Sequence, residues 1–81
     1  MKQQTLPLKA IRVPAKRART LEAAKVAALA EDILENGLTT PILVRADGEG
    51  YVLVEGLHRL EAAKALGEET IEGILVQARR W

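Results

Sequence analysis

The sequence predicts an α+β domain, a compact mixed β-sheet carrying two main helices in the approximate order β-α-β-β-α-β. Three observations predict it. Apolar residues recur at helical spacing over residues 21–36 and again over 58–66, short extended runs stand before, between and after them, and 81 residues hold one hydrophobic core but not two. Residues 1–81 are therefore read as a single domain with its core over about 6–77.

The first extended run holds Leu6, Leu8, Ile11 and Val13, with Pro7 inside it and Pro14 at its end. A proline in a strand favours a sheet edge or a strand start, so this run is expected to be one short strand with a bulge or change of register. Thr20 is the expected cap of the first helix, over about 21–36, where Val26, Leu29, Ala30, Ile33 and Leu34 fall near one face. Glu22 suits its first turn, and Gly37 provides the exit. Ile42 to Arg45 and Tyr51 to Val54 follow as two strands joined around Asp47, Gly48 and Gly50, with Pro41 at the entrance where its missing N–H does least harm. The second helix, about His58 to Leu66, turns Leu60, Ala63 and Leu66 or Ala62 toward the sheet. Thr70 to Val76 is again extended, and the polar QARRW tail puts Trp81 at the surface or in a connection.

Composition narrows the chemistry. There are 23 Leu, Ile and Val residues and 13 Ala residues but no Phe, so the core is aliphatic and its layers pack closely. Cys is absent, which excludes a disulfide framework, a thiol nucleophile and Cys-held zinc or iron–sulfur sites. With a single His, no protein-made zinc site is expected, although carboxylates can hold a metal beside a ligand's phosphates. No run approaches the roughly 18 to 20 apolar residues of a membrane span, and the amino terminus lacks an apolar signal core, so the expected location is the cytoplasm.

The net charge of +1 conceals an asymmetry. Residues 1–21 carry six bases and no acid, whereas residues 22–81 carry six bases and eleven acids. A basic first segment on an acidic body either attracts a phosphate-bearing ligand or simply keeps the terminus solvated.

The junction VEGLHRLEAA concentrates the chemistry. An extended run ends at Gly56 and a helix begins at once, so free backbone N–H groups at Gly56, Leu57 and His58 and the positive end of the helix dipole suit a phosphate. His58 adds a hydrogen-bonding group, and Arg59 adds a guanidinium that can grip a phosphate with two bonds. The same residues also admit a purely structural role, with Gly56 turning the chain, His58 capping and Arg59 pairing with Glu55 or Glu61. Those two acids are the candidate catalytic carboxylates; no metal ligand set is assigned. Neither GxxxxGK[ST] nor GxGxxG is present.

In order along the chain, IRVP, AALAEDILENGLTTPILVR and GEGYVLVEGLHRLEAAKALG resemble the ParB amino-terminal domain family, within the wider ParB and sulfiredoxin-like superfamily. The resemblance covers about residues 6–77 and carries the family's phosphate-site pattern onto Gly56, His58 and Arg59, with Arg17 or Arg19 as further contributors. Together with the Leu57 backbone donor and one base among Lys16, Arg17 and Arg19, these make the expected nucleotide site. The implied ligand is CTP or ATP with magnesium. The chromosome-partition branch usually has GERR where this chain has GLHR, a departure at the phosphate motif itself. Sulfiredoxins are nearer to GLHR but carry their nucleophilic Cys at the position of Leu57, so sulfinic-acid repair is not implied.

The resemblance implies a nucleotide- or phosphate-binding regulatory module of a DNA partition or transcription-associated protein, associated with the nucleoid. Its implied partners are a second copy of the chain and a partition or regulatory protein. DNA would be read by a following helix-turn-helix domain, for which these residues leave no room, so the chain is either a piece of a longer protein or a smaller relative. Two alternatives stand beside this: a small-molecule kinase or nucleotidase, as in related free-serine kinases, and a non-catalytic protein-interaction domain.

Overall fold

The computed structural model describes residues 3–76 apart from residue 39; Trp81 and the rest of the expected surface tail lie outside the described residues. Five strands form one mixed sheet: β1 (Gln3–Pro7), β2 (Ile11–Arg12), β3 (Ile42–Asp47), β4 (Gly50–Glu55) and β5 (Thr70–Leu75). Their spatial order is β1-β5-β3-β4-β2. β3 and β4 make the expected antiparallel hairpin, with Val44 opposite Leu53 and Asp47 opposite Gly50. β5 runs parallel to β3, β1 is antiparallel to β5, and β2 is parallel to β4. The α+β class and the mixed sheet are as the sequence predicts.

The first extended run departs from expectation. Instead of one bulged strand it is two, on opposite edges of the sheet, separated by a 3-10 turn over Leu8–Ala10. From Pro7 to Ile11 the chain reaches at most about 14 Å. Four flat inter-strand spacings would need about 19 Å, so the sheet must curl to bring its edges together. The turn is fastened at both ends. The Leu8 N–H donates to the Glu69 carbonyl at 3.0 Å, and the Ala10 carbonyl oxygen comes so close to Gly50 that it would stand 2.8 Å from an added Cβ. Apolar spacing alone could not reveal the split, because Leu6, Leu8 and Ile11 all reach the same core.

Three helices are described. α1 (Ala15–Ala18) is a single turn after Pro14 that the sequence pattern did not suggest. α2 (Ala23–Asn36) starts later than expected, with Glu22 rather than Thr20 at its N-cap position. Thr20 closes the preceding turn instead, its hydroxyl donating to the Arg17 carbonyl at 2.8 Å. α3 (Leu57–Ala65) buries Leu57, Leu60, Ala62 and Ala63.

The core joins Leu6, Leu8 and Ile11 to Ile42 and Val44 of β3, Leu53 of β4, Ile71 of β5, and Leu57, Leu60 and Ala63 of α3. Ile42, Val44 and Leu60 are wholly enclosed. α2 is a further layer that packs on α3, and none of its fourteen residues is buried. The expected burial of its apolar face is therefore only partial, with Val26, Leu29, Ala30 and Ile33 half-covered and Leu34 75% exposed. Among the described residues, no helix is long and apolar enough to cross a membrane.

Candidate functional site

Gly56 joins the end of β4 to the start of α3 with φ 108° and ψ 30°, a left-handed conformation that suits glycine. A side chain is excluded for a second reason: an added Cβ would stand 2.6 Å from Ile42 Cγ2 in the core. The first bond of α3 is donated by the Leu60 N–H to the Gly56 carbonyl at 2.9 Å. The N–H groups of Leu57, His58 and Arg59 precede that bond and have no acceptor within the helix. No side chain caps this end among the described residues. The buried Leu57 side chain anchors the turn while its backbone remains at the helix mouth.

These donors open onto a groove of about 480 Å³ between the β4–α3 junction and the segment carrying α1 and the start of α2. That volume lies within the range of small-molecule sites. Arg17, Thr20, Lys25, Glu55, Gly56, His58 and Arg59 are among its lining residues, and Ala28 and Leu29 make an apolar stretch of wall.

The polar side chains already hold one another in place. The Arg17 guanidinium donates to the Val54 carbonyl, fastening α1 to the end of β4. His58 Nε2 accepts the Glu22 N–H at 3.0 Å, which ties the start of α3 to the start of α2 and leaves Nδ1 to carry the proton of the neutral ring. Lys25 Nζ pairs with Glu22 Oε2 at 2.9 Å, and this contact, by its hydrogen bond and its charge, holds the Glu22 carboxyl below its ordinary value.

The predicted residues divide by position. Gly56, Leu57, His58 and Arg59 meet at the helix start, and of the three bases proposed from the first segment Arg17 joins them in the groove. Lys16 and Arg19 are exposed and do not line it. Arg59 forms no ion pair with Glu55 or Glu61 among the described residues. The two acids are also separated. Glu55 lines the groove, whereas Glu61 pairs with Lys64 at 3.3 Å and faces a different hollow between α2 and α3. Lys25 is the lining cation that sequence reasoning missed. The signal was available, because Lys25, Ala28 and Leu29 stand at i, i+3 and i+4 on one helical face.

Among the described residues no group of three or more His, Asp or Glu side chains is gathered to hold a metal ion. The arrangement instead offers, among the described residues, three backbone donors with no acceptor, three cationic side chains and one carboxylate around an open groove, a donor set suited to a polyanionic ligand.

Comparison with known proteins places this geometry in a family. The model of the ParB N-terminal domain matches residues 1–80. A probable plasmid-partitioning protein ParB of Thermus thermophilus is 45% identical over 62 residues, covering 76% of this chain and 20% of that protein. The chain thus spans about a fifth to a quarter of the length of its partition-protein relatives. Among solved structures, the sulfiredoxin of Arabidopsis thaliana superposes with a TM-score of 0.86 at 35% identity, covering 96% of this chain and 88% of that one. A C-terminally truncated chromosome-partitioning protein ParB from Caulobacter crescentus, complexed with CTP-gamma-S, gives 0.83 at 25% identity, covering 98% of this chain and 46% of that one.

Proposed function

The chain belongs to the ParB N-terminal domain family, and from that premise we propose that it is a nucleotide-binding regulatory module of a DNA partition or transcription-associated system. The carrying observation is the meeting of the three free N–H groups of α3 with Arg59, Arg17 and Lys25 around one groove. CTP is the first candidate ligand, supported by the CTP-gamma-S complex of the Caulobacter relative. ATP is the second.

In this reading the phosphates accept from the N–H groups of Leu57, His58 and Arg59, where the dipole of α3 favours negative charge. The Arg59 guanidinium grips a phosphate with two parallel bonds, and Lys25 contributes a point charge from the opposite wall. Arg17 either turns from the Val54 carbonyl to the ligand or keeps that bond and shares its charge. His58 keeps its Nε2 on the Glu22 N–H and offers Nδ1–H. Glu55 is the carboxylate at the groove fit to help hold magnesium, which would lie mainly on the ligand's own phosphates and neutralise part of their charge.

Because the groove lies between two parts of the chain, a bound nucleotide bridges them. Arg59 and the α3 donors form one side, Arg17 and Lys25 the other. Binding would draw the sides together and alter the surface offered to a second copy or to a partition partner. DNA would be read by a separate domain, and the system would act in the cytoplasm at the nucleoid. The kinase or nucleotidase reading has less support, since Glu55 and Glu61 face different hollows. Sulfiredoxin chemistry has none, because Leu57 carries no thiol and its side chain is buried.

Calorimetric titration of the folded chain with CTP, ATP and GTP in the presence of magnesium tests the proposal. Saturable binding of at least one is expected; no binding of any of the three overturns it. Arg59→Ala is expected to weaken that binding about tenfold or more, the worth of a charged hydrogen-bonding pair, with an unchanged far-ultraviolet circular dichroism spectrum.

A further inference from the structure

Lys25 lines the groove, but its ammonium is already occupied by the Glu22 carboxylate 2.9 Å away. Among the described residues Glu22 has no polar partner for its carboxylate besides Lys25. Its side chain makes no capping bond to α2, and the bond that orients His58 comes from the Glu22 backbone N–H, which any residue but proline would supply. Both partners are well exposed, with side-chain accessibilities of 62% for Lys25 and 59% for Glu22. Such a pair is weak and readily exchanged. A terminal phosphate carries more negative charge than a carboxylate and can displace it.

We infer that Glu22 is an internal counter-ion that competes with the incoming ligand for Lys25 and thereby lowers the affinity of the empty groove. This rests on the nucleotide reading of the site. When a phosphate arrives, Lys25 exchanges the Glu22 carboxylate for the ligand. The resting groove is thus held partly neutral, which limits the capture of weakly bound anions.

The test is a double-mutant cycle on the full chain, with CTP and inorganic triphosphate as probes at low salt. Glu22→Gln keeps the size and polarity of the side chain and is expected to tighten binding about two- to fivefold. Lys25→Ala is expected to weaken it, and adding Glu22→Gln to Lys25→Ala is expected to restore nothing. An equal gain in both backgrounds would mean that Glu22 acts by general repulsion, and would overturn the competition. Binding by the unsubstituted chain with no gain from Glu22→Gln overturns the inference alone. No binding of either probe by either chain overturns the nucleotide reading with it. A carboxyl-carbon NMR titration supplies a second readout. Saturating triphosphate should move Glu22 back toward its ordinary titration range, whereas an unchanged titration contradicts displacement.

Discussion

α3 and α2 are neighbouring helices with opposite relations to the core. Four of the nine residues of α3 are buried, and its first turn is held from below by Leu57 and Ile42. None of the fourteen residues of α2 is buried, although α2 has the clearer apolar stripe. Amphipathic spacing identifies the face a helix turns inward, but how deeply that face is covered depends on which layer it meets. α3 packs on β3 at the centre of the sheet, whereas α2 packs chiefly on α3. The groove therefore has one firm wall carrying the backbone donors and one lightly seated wall carrying Lys25. A ligand bridging them gains preorganised bonds from the first and leaves the second free to adjust.

Substitutions can break this contrast. The largest loss is expected for Leu60→Ala in α3, where a wholly enclosed side chain leaves a cavity, at about 2–5 kcal/mol in urea unfolding. Gly56→Ala follows at roughly 2–4 kcal/mol, since the new methyl faces both a left-handed backbone and the wall formed by Ile42. Leu34→Ala in α2 is expected to change stability by less than about 0.5 kcal/mol, because the side chain is 75% exposed. Amide hydrogen exchange sharpens the same contrast: Leu60 should open only with global unfolding, while the outer face of α2 exchanges through smaller openings. A loss for Leu34→Ala as large as that for Leu60→Ala would show α2 to be part of the core.

The smallest effect concerns pH. The Glu22 carboxyl is held below 4.5 chiefly by Lys25, so the contribution of this pair is present above the ordinary carboxylate range and is lost as pH falls through the lowered value. Carboxyl NMR should place the Glu22 midpoint below 4.5, and Lys25→Ala should raise it. A midpoint unmoved by Lys25→Ala would show that the Lys25–Glu22 pair does not set the Glu22 carboxyl, and would remove the pair on which the competition for Lys25 rests.

Much of this was legible in the residues. The hairpin, the helix after Gly56 and the exit at Gly37 carry local signatures, because turn geometry and helix ends depend on a few neighbours. Gly56, His58 and Arg59 were legible for the same reason, lying within one turn of chain. What escaped is non-local. Sending Leu6 and Ile11 to opposite sheet edges requires a curl that no spacing encodes. Lys25 joins Arg59 only because α2 packs against α3, and Glu55 parts from Glu61 because one ends a strand while the other lies on a helix face. Thr20 offered good capping chemistry, but the turn of α1 took its hydroxyl first.

In the proposed function the first turn of α3 binds phosphate through its backbone, and everything else at the groove depends on that contact. Amide NMR of the chain titrated with CTP and magnesium tests this most directly. The N–H resonances of Leu57, His58 and Arg59 are expected to move furthest and together, with Arg17 and Lys25 following across the groove. Shifts confined to the hollow lined by Leu34, Leu66 and Ile71, or no shifts at saturating nucleotide, would contradict it.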